Sequence, residues 1–108
     1  MIKALLKLDA DGNISGFSVK GHSGSAEAGR DVICAAVSGI VQTALIGLDE
    51  VAGIRDTYTV SDGNVECRLP KVDRQEWTEK AYTIINVMWL GLSSIAEQYP
   101  EFVRIKVN

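Results

Sequence analysis

From Val32 to Leu48 the chain runs for 17 residues without a charged side chain. A stretch of that length and apolarity either sits at the short edge of a membrane span or forms a helix with apolar neighbours on most sides. Ser38, Gly39, Gln42, Thr43 and Gly47 interrupt it. They favour the second reading, a soluble helix from about Val32 to Ala52 lying between two layers, or between a sheet and another subunit. Asp31 stands where an N-terminal cap belongs and Gly53 where the helix closes.

What flanks the helix alternates with a period of two. In Ile2–Leu8, Ile2, Ala4, Leu6 and Leu8 share one face and two lysines the other. That is a half-buried strand. Asp11-Gly12 is a hairpin dipeptide, and residues 14–20 return with Phe17 and Val19 inward and Ser18 and Lys20 outward. The pattern repeats in outline after the helix. Arg55–Val60 and Asn64–Leu69 read as strands around Asp62-Gly63, with Pro70 ending the second. Asp73 and Glu76 form a capping box for a second helix running to about Gln98. Trp77, Ala81, Ile84, Met88, Leu92 and Ile95 line one of its faces, and Tyr99-Pro100 stops it. Phe102–Val107 is a last strand, with Val103, Ile105 and Val107 inward. The expected fold is a two-layer α/β (α+β) sandwich in the order ββαββαβ, a mostly antiparallel sheet with two long helices. Its 108 residues suffice for a single domain, 1–108, with one core.

Charge excludes some functions. Lys and Arg number 11 against 14 Asp and Glu, a net charge of −3, which offers no basic surplus for nucleic acid. The Met1–Asp9 stretch carries charges that a signal-peptide core would not tolerate. Two cysteines without an export signal read as reduced thiols in a cytoplasm. The expectation is therefore a cytoplasmic protein with neither membrane nor direct nucleic-acid partners.

The candidate chemistry lies in Gly21-His22 … Gly29-Arg30-Asp31-Val32-Ile33-Cys34-Ala35-Ala36-Val37-Ser38. His22, the one histidine, closes a strand at the mouth of a glycine-rich loop that leads into the turn bearing Cys34. If Asp31 is the cap, Cys34 is the third helical residue, near unpaired backbone N–H groups and the positive end of the helix dipole. Such surroundings favour a thiolate, the reactive form of a cysteine. A neighbouring histidine can take the thiol proton and return it to a leaving amine. Gly21, Gly24 and Gly29 leave the 21–30 loop many conformations, so it is a candidate gate that orders around substrate. Cys67 shares the inward face of its strand with Val65 and Leu69 and reads as core. One histidine and two cysteines on separate elements make a poor zinc site, and no cofactor is expected.

These linked segments resemble the signature of the ribosomal-processing cysteine proteases, the Prp family. The length, the element order and the Met1 start fit as well, so the resemblance covers nearly the whole chain. Ser23 departs from the pattern, which has Ala after the Gly-His pair; only the detailed conformation of the loop is put in doubt. The resemblance maps Cys34 onto the nucleophile and His22 onto the general base and acid of a catalytic dyad. Asp31 could also orient His22, although its carboxylate opposes a thiolate beside it. Ser38 could support the site wall, one helical turn after Cys34. The resemblance further implies a small bacterial homodimer that removes a short N-terminal extension from a large-subunit ribosomal protein. The alternative is a non-enzymatic dimeric ribosome-assembly module, in which Cys34 would be structural.

Overall fold

Alternation of apolar and polar residues makes Ile2–Leu8 (β1) and Ile14–Lys20 (β2) an antiparallel pair with Leu6 opposite Phe17 and Ala4 opposite Val19. The turn between them is fastened by Asp9. Its Oδ1 accepts the backbone N–H groups of Asp11 and Asn13 at 2.9 and 3.0 Å, and Gly12 takes the left-handed conformation, φ 81°. The computed structural model describes residues 1–21, 30–61, 63–71 and 75–108. Helix α1 (Arg30–Glu50) follows, then β3 (Tyr58–Ser61), β4 (Asn64–Arg68), α2 (Gln75–Gln98) and β5 (Val103–Val107). The expected ββαββαβ order is the observed one.

The five strands form one mixed sheet, β3-β4-β2-β1-β5. β1 and β5 pair in parallel and the other neighbours antiparallel. Both helices pack on the same face. Ile2, Ala4, Leu6, Phe17, Val19, Val65, Cys67 and Val103 point up from the sheet, and Val37, Val41, Leu45, Leu48, Ile85 and Leu92 point down from the helices. The fully enclosed side chains sit here, with Phe17, Leu48, Ile85 and Leu92 at 0% exposure. Val32–Glu50 is long and apolar enough to cross a membrane by length and composition. In the fold its buried stripe is seated on the sheet instead.

Several boundaries differ from the sequence expectations. β3 begins at Tyr58 rather than Arg55 because Asp56 is left-handed, φ 59°, which a strand cannot hold. β4 ends at Arg68, although the Leu69 N–H still donates to the Ser15 carbonyl at 2.9 Å. α1 spans Arg30–Glu50 rather than Val32–Ala52. Gly53 does close it as expected. Its φ of 71° reverses the chain, so that the Ile54 N–H returns to the Leu48 carbonyl at 2.9 Å.

Burial differs in four places. α1 is buried on one side only, since Val32, Ala35, Ala36, Gly39 and Ile46 are exposed. Its apolar circumference therefore faces solvent as well as the sheet. The buried stripe of α2 is Ala81, Ile85, Met88, Trp89 and Leu92, because Ile84 turns toward α1. The expected Trp77 contact and the Asp73–Glu76 capping box lie outside the described residues. Val107 is 52% exposed, since α2 turns directly into the start of β5 and leaves its far end uncovered. Leu8 is exposed too, beyond a register shift between Lys7 and Leu8.

Candidate active site

Cys34 lies on the second turn of α1. Because the helix begins at Arg30, Asp31 is its second residue and not its cap, and Cys34 is the fifth residue rather than the third. This has a chemical consequence. In a regular helix the Cys34 N–H bonds back to the Arg30 carbonyl, whereas the amides of Arg30, Asp31 and Val32 have no intrahelical partner. The amides without an intrahelical acceptor thus precede the cysteine instead of surrounding it. The Cys34 side chain is half-buried and packed against the edge of the core.

α1 returns over the strand that precedes it. Val37, Ser38 and Val41 lie beside Val19 of β2 and Val65 of β4. One turn earlier along α1, Cys34 therefore lies toward the end of the sheet where β2 gives way to Gly21. Ser38 shares this side of the helix, but its hydroxyl accepts a hydrogen bond from Gln42 Nε2 at 2.9 Å. That bond holds Ser38 to its own helix.

Gly21 is the described residue immediately before His22. Its N–H donates to the Gly63 carbonyl at 2.9 Å and its φ is 95°. A Cβ there would collide with the Met1 carbonyl oxygen. The chain can therefore leave β2 this way only through glycine, a constraint that a glycine count in the sequence does not distinguish from loop freedom. Gly21→Ala is expected to cost about 2 kcal/mol or more of folding stability from the left-handed backbone plus the collision. Gly12→Ala is the control, since Gly12 also has positive φ but nothing within 4 Å of an added Cβ. Urea unfolding of the two variants should show the larger loss at Gly21. Of the expected 21–30 loop, residues 22–29, with His22, Gly24 and Gly29, lie outside the described residues, as does the Asp31 side chain, and Arg30 belongs to α1 rather than to the loop.

The second cysteine has the opposite surroundings. Cys67 is 1% exposed in the core, and burial pushes its thiol up from 9.0 to about 11, with the neighbouring Thr57 hydroxyl acting weakly the other way. The sign of the pH effect follows. Below about pH 9 Cys67 is protonated whether the chain is folded or unfolded. Between pH 9 and 11 only the unfolded chain loses the proton, so stability falls as pH rises through that window. Denaturant midpoints at pH 8 and 11 should show this loss, and Cys67→Ala should remove that part of the slope. The same variant should cost roughly 1 kcal/mol at neutral pH from the small cavity it leaves.

An open pocket of about 780 Å³ lies at the far end of the sheet, bordered by Lys7, Arg68 and Tyr82. It is remote from Gly21 and Cys34. Between the helices runs a strongly apolar groove of about 730 Å³, lined by Ala36, Ile40, Thr43, Ile84 and Val87 among others. Glycines let the two helices come close: a Cβ on Gly47 would lie 3.3 Å from Ile84, and one on Gly91 would lie 3.4 Å from Ile40. Among the described residues, no three His, Cys, Asp or Glu side chains gather to hold a metal.

The chain matches the model of the family described as cysteine protease Prp over residues 1–104. It is 28% identical to the ribosomal processing cysteine protease Prp of Bacillus subtilis, across 100% of this chain and 98% of that protein. Its identity to the protein of the same name from Mycoplasma pneumoniae is 31%, covering 83% and 84%. A crystal structure of the essential ribosomal processing protease Prp from S. aureus with a substrate peptide superposes with a TM-score of 0.86 at 23% identity, over 100% of both chains.

Proposed function

Because the chain belongs to the Prp family of cysteine proteases, we propose that it is an endopeptidase that removes the short N-terminal extension of a large-subunit ribosomal protein in the cytoplasm. The supporting observation is the family match across residues 1–104, together with a half-buried Cys34 near the N-terminal end of α1, which lies over the end of the sheet where β2 runs out. In this reading His22 takes the proton from the Cys34 thiol. The sulfur attacks the scissile carbonyl, and the negative charge moves to its oxygen. The amides of Arg30, Asp31 and Val32, which have no acceptor within the helix, are assigned as donors to that oxyanion. Collapse of the intermediate breaks the C–N bond, and His22 returns the proton to the leaving amine. Water, deprotonated by His22, then hydrolyses the thioester and frees Cys34. Asp31 is assigned to orienting His22, and Ser38 to the wall beside the thiol.

The extended substrate would lie along a groove or a sheet edge. The apolar face shared by α1 and α2 is assigned to a second copy of the chain, making a homodimer. The test is incubation with the precursor ribosomal protein followed by intact mass. The expected result is one cut near the precursor's N-terminus. An unchanged mass after prolonged incubation with folded protein would leave the chain a non-enzymatic assembly module.

A further inference from the structure

The alternation that buries one face of the sheet arrays cations on the other. The register fixes which residues share that face. Lys3 lies between Lys20 and Arg104, Leu5 between Ser18 and Lys106, and Lys7 beside Gly16, whose other neighbour is Arg68. Both helices bury the opposite side, and no described element covers this one: Lys3, Lys20, Arg68, Arg104 and Lys106 are all exposed. Six of the chain's 11 Lys and Arg residues are here. Of its 14 Asp and Glu, only Glu66 joins them among the described strand residues. Glu66 pairs with Lys7 at 3.0 Å. That bond, with further pull from Lys20 and Arg68, holds the carboxyl below its ordinary range. A chain with net charge −3 thus carries one strongly positive plane.

We propose that this face docks double-stranded RNA through its phosphate backbone. Strands about 4.8 Å apart, with same-face residues about 6.7 Å apart along each, set the cations in a grid close enough for neighbouring phosphates to meet several at once. The residues between them argue against other occupants. Phe17 and Tyr58 point to the helix side, so among the described residues this face has no aromatic platform on which single-stranded bases could stack. Its one large apolar residue among those described, Leu5, is half-buried. Neither a protein interface nor a membrane would find the exposed aromatic or aliphatic anchors it needs. Gly16 and Ser18 at the centre are small and buried between the longer side chains around them, Ser18 at 5% exposure, so the surface offered is that of the cations, which suits a broad helix recognised by shape and charge. The choice of RNA over DNA rests on the ribosomal-processing reading; the binding itself does not depend on cleavage.

The experiment is fluorescence anisotropy of a labelled RNA duplex of about 20 base pairs with the full chain, titrated from about 50 to 200 mM salt. Binding is expected at the lower salt and should weaken with a log–log slope of about −3 to −5. Lys3→Gln/Lys20→Gln/Arg104→Gln should weaken binding at least about tenfold and flatten the slope by about 2 to 3 units. Its thermal midpoint and its cleavage of a short peptide should stay unchanged. Arg55→Gln/Lys80→Gln, which removes charge elsewhere, should bind as the parent does. The proposal is overturned by no binding at the lower salt, or by equal weakening in the control variant. Tighter binding of a DNA duplex, of poly-glutamate or of anionic vesicles would also overturn it.

Discussion

Cys34→Ala is expected to abolish cleavage of the precursor, lowering the single-turnover rate by a factor on the order of 10⁴ or more, and His22→Ala is expected to do nearly the same. The two losses should not add, because nucleophile and base act as one unit. Folding should be little affected in Cys34→Ala. The side chain is half-buried at the margin of the core, so trading its sulfur for a hydrogen should cost about 1 kcal/mol or less. Cys67→Ala supplies the contrast, keeping full activity while losing stability. The two thiols can also be told apart chemically. Iodoacetamide should label Cys34 in the native protein and inactivate it, and should reach Cys67, at 1% exposure, only on unfolding. Normal turnover by Cys34→Ala would end its assignment as nucleophile.

The strands were legible wherever one face is buried and the other wet. Ile2–Leu8 and Asn64–Arg68 alternate because the sheet has helices on a single side. The end of α1 was legible because only glycine closes a helix this way without strain, and Gly53 does so. The start of α1 was not. Asp31 is a good capping residue, but where a helix starts also depends on tertiary contacts that no local pattern encodes. Placing Asp31 and Cys34 two positions too early also set the oxyanion donors around the cysteine rather than ahead of it. Asp56 is a similar case. Its left-handed backbone delays β3, and nothing in Arg55–Val60 marks it. At the site, Cys34 could be singled out from its place near a helix start. The need for glycine at Gly21 could not, because it arises from the Met1 carbonyl, which is 20 residues away in sequence.

Charge shows how averaging hides a surface. Lys3, Lys7 and Lys20 are each the polar half of an alternating strand, as are Arg104 and Lys106. Each is unremarkable within its own element. Only the pairing β4-β2-β1-β5 brings them into one plane, while among the described residues every carboxylate but Glu66 lies in a turn, a loop or a helix. Net charge therefore reports solubility and says little about what a particular face can hold.

The apolar groove between the helices leads to the last large effect. Val87 and Leu90 are 65% and 62% exposed, and Val32 and Ile46 are 70% and 61%. Surface positions of this kind ordinarily tolerate substitution within about 0.5 kcal/mol. If the chain were a monomer, Val87→Asp/Leu90→Asp would therefore fold as well as the parent and behave identically in solution. If α1 and α2 pack against a second copy, the same pair places four uncompensated carboxylates in one apolar interface. Burying even one such charge costs several kcal/mol. An interface of about 2,000 Å² in total would not survive that. The expected result is a parent that sediments as a dimer at micromolar concentration and a double variant that sediments as a folded monomer. Peptide cleavage by the monomer, compared with that of the dimer, would then report whether the second subunit helps to build the site. A parent that is monomeric across the micromolar range would refute the dimer. A variant that stays dimeric would move the interface away from this groove.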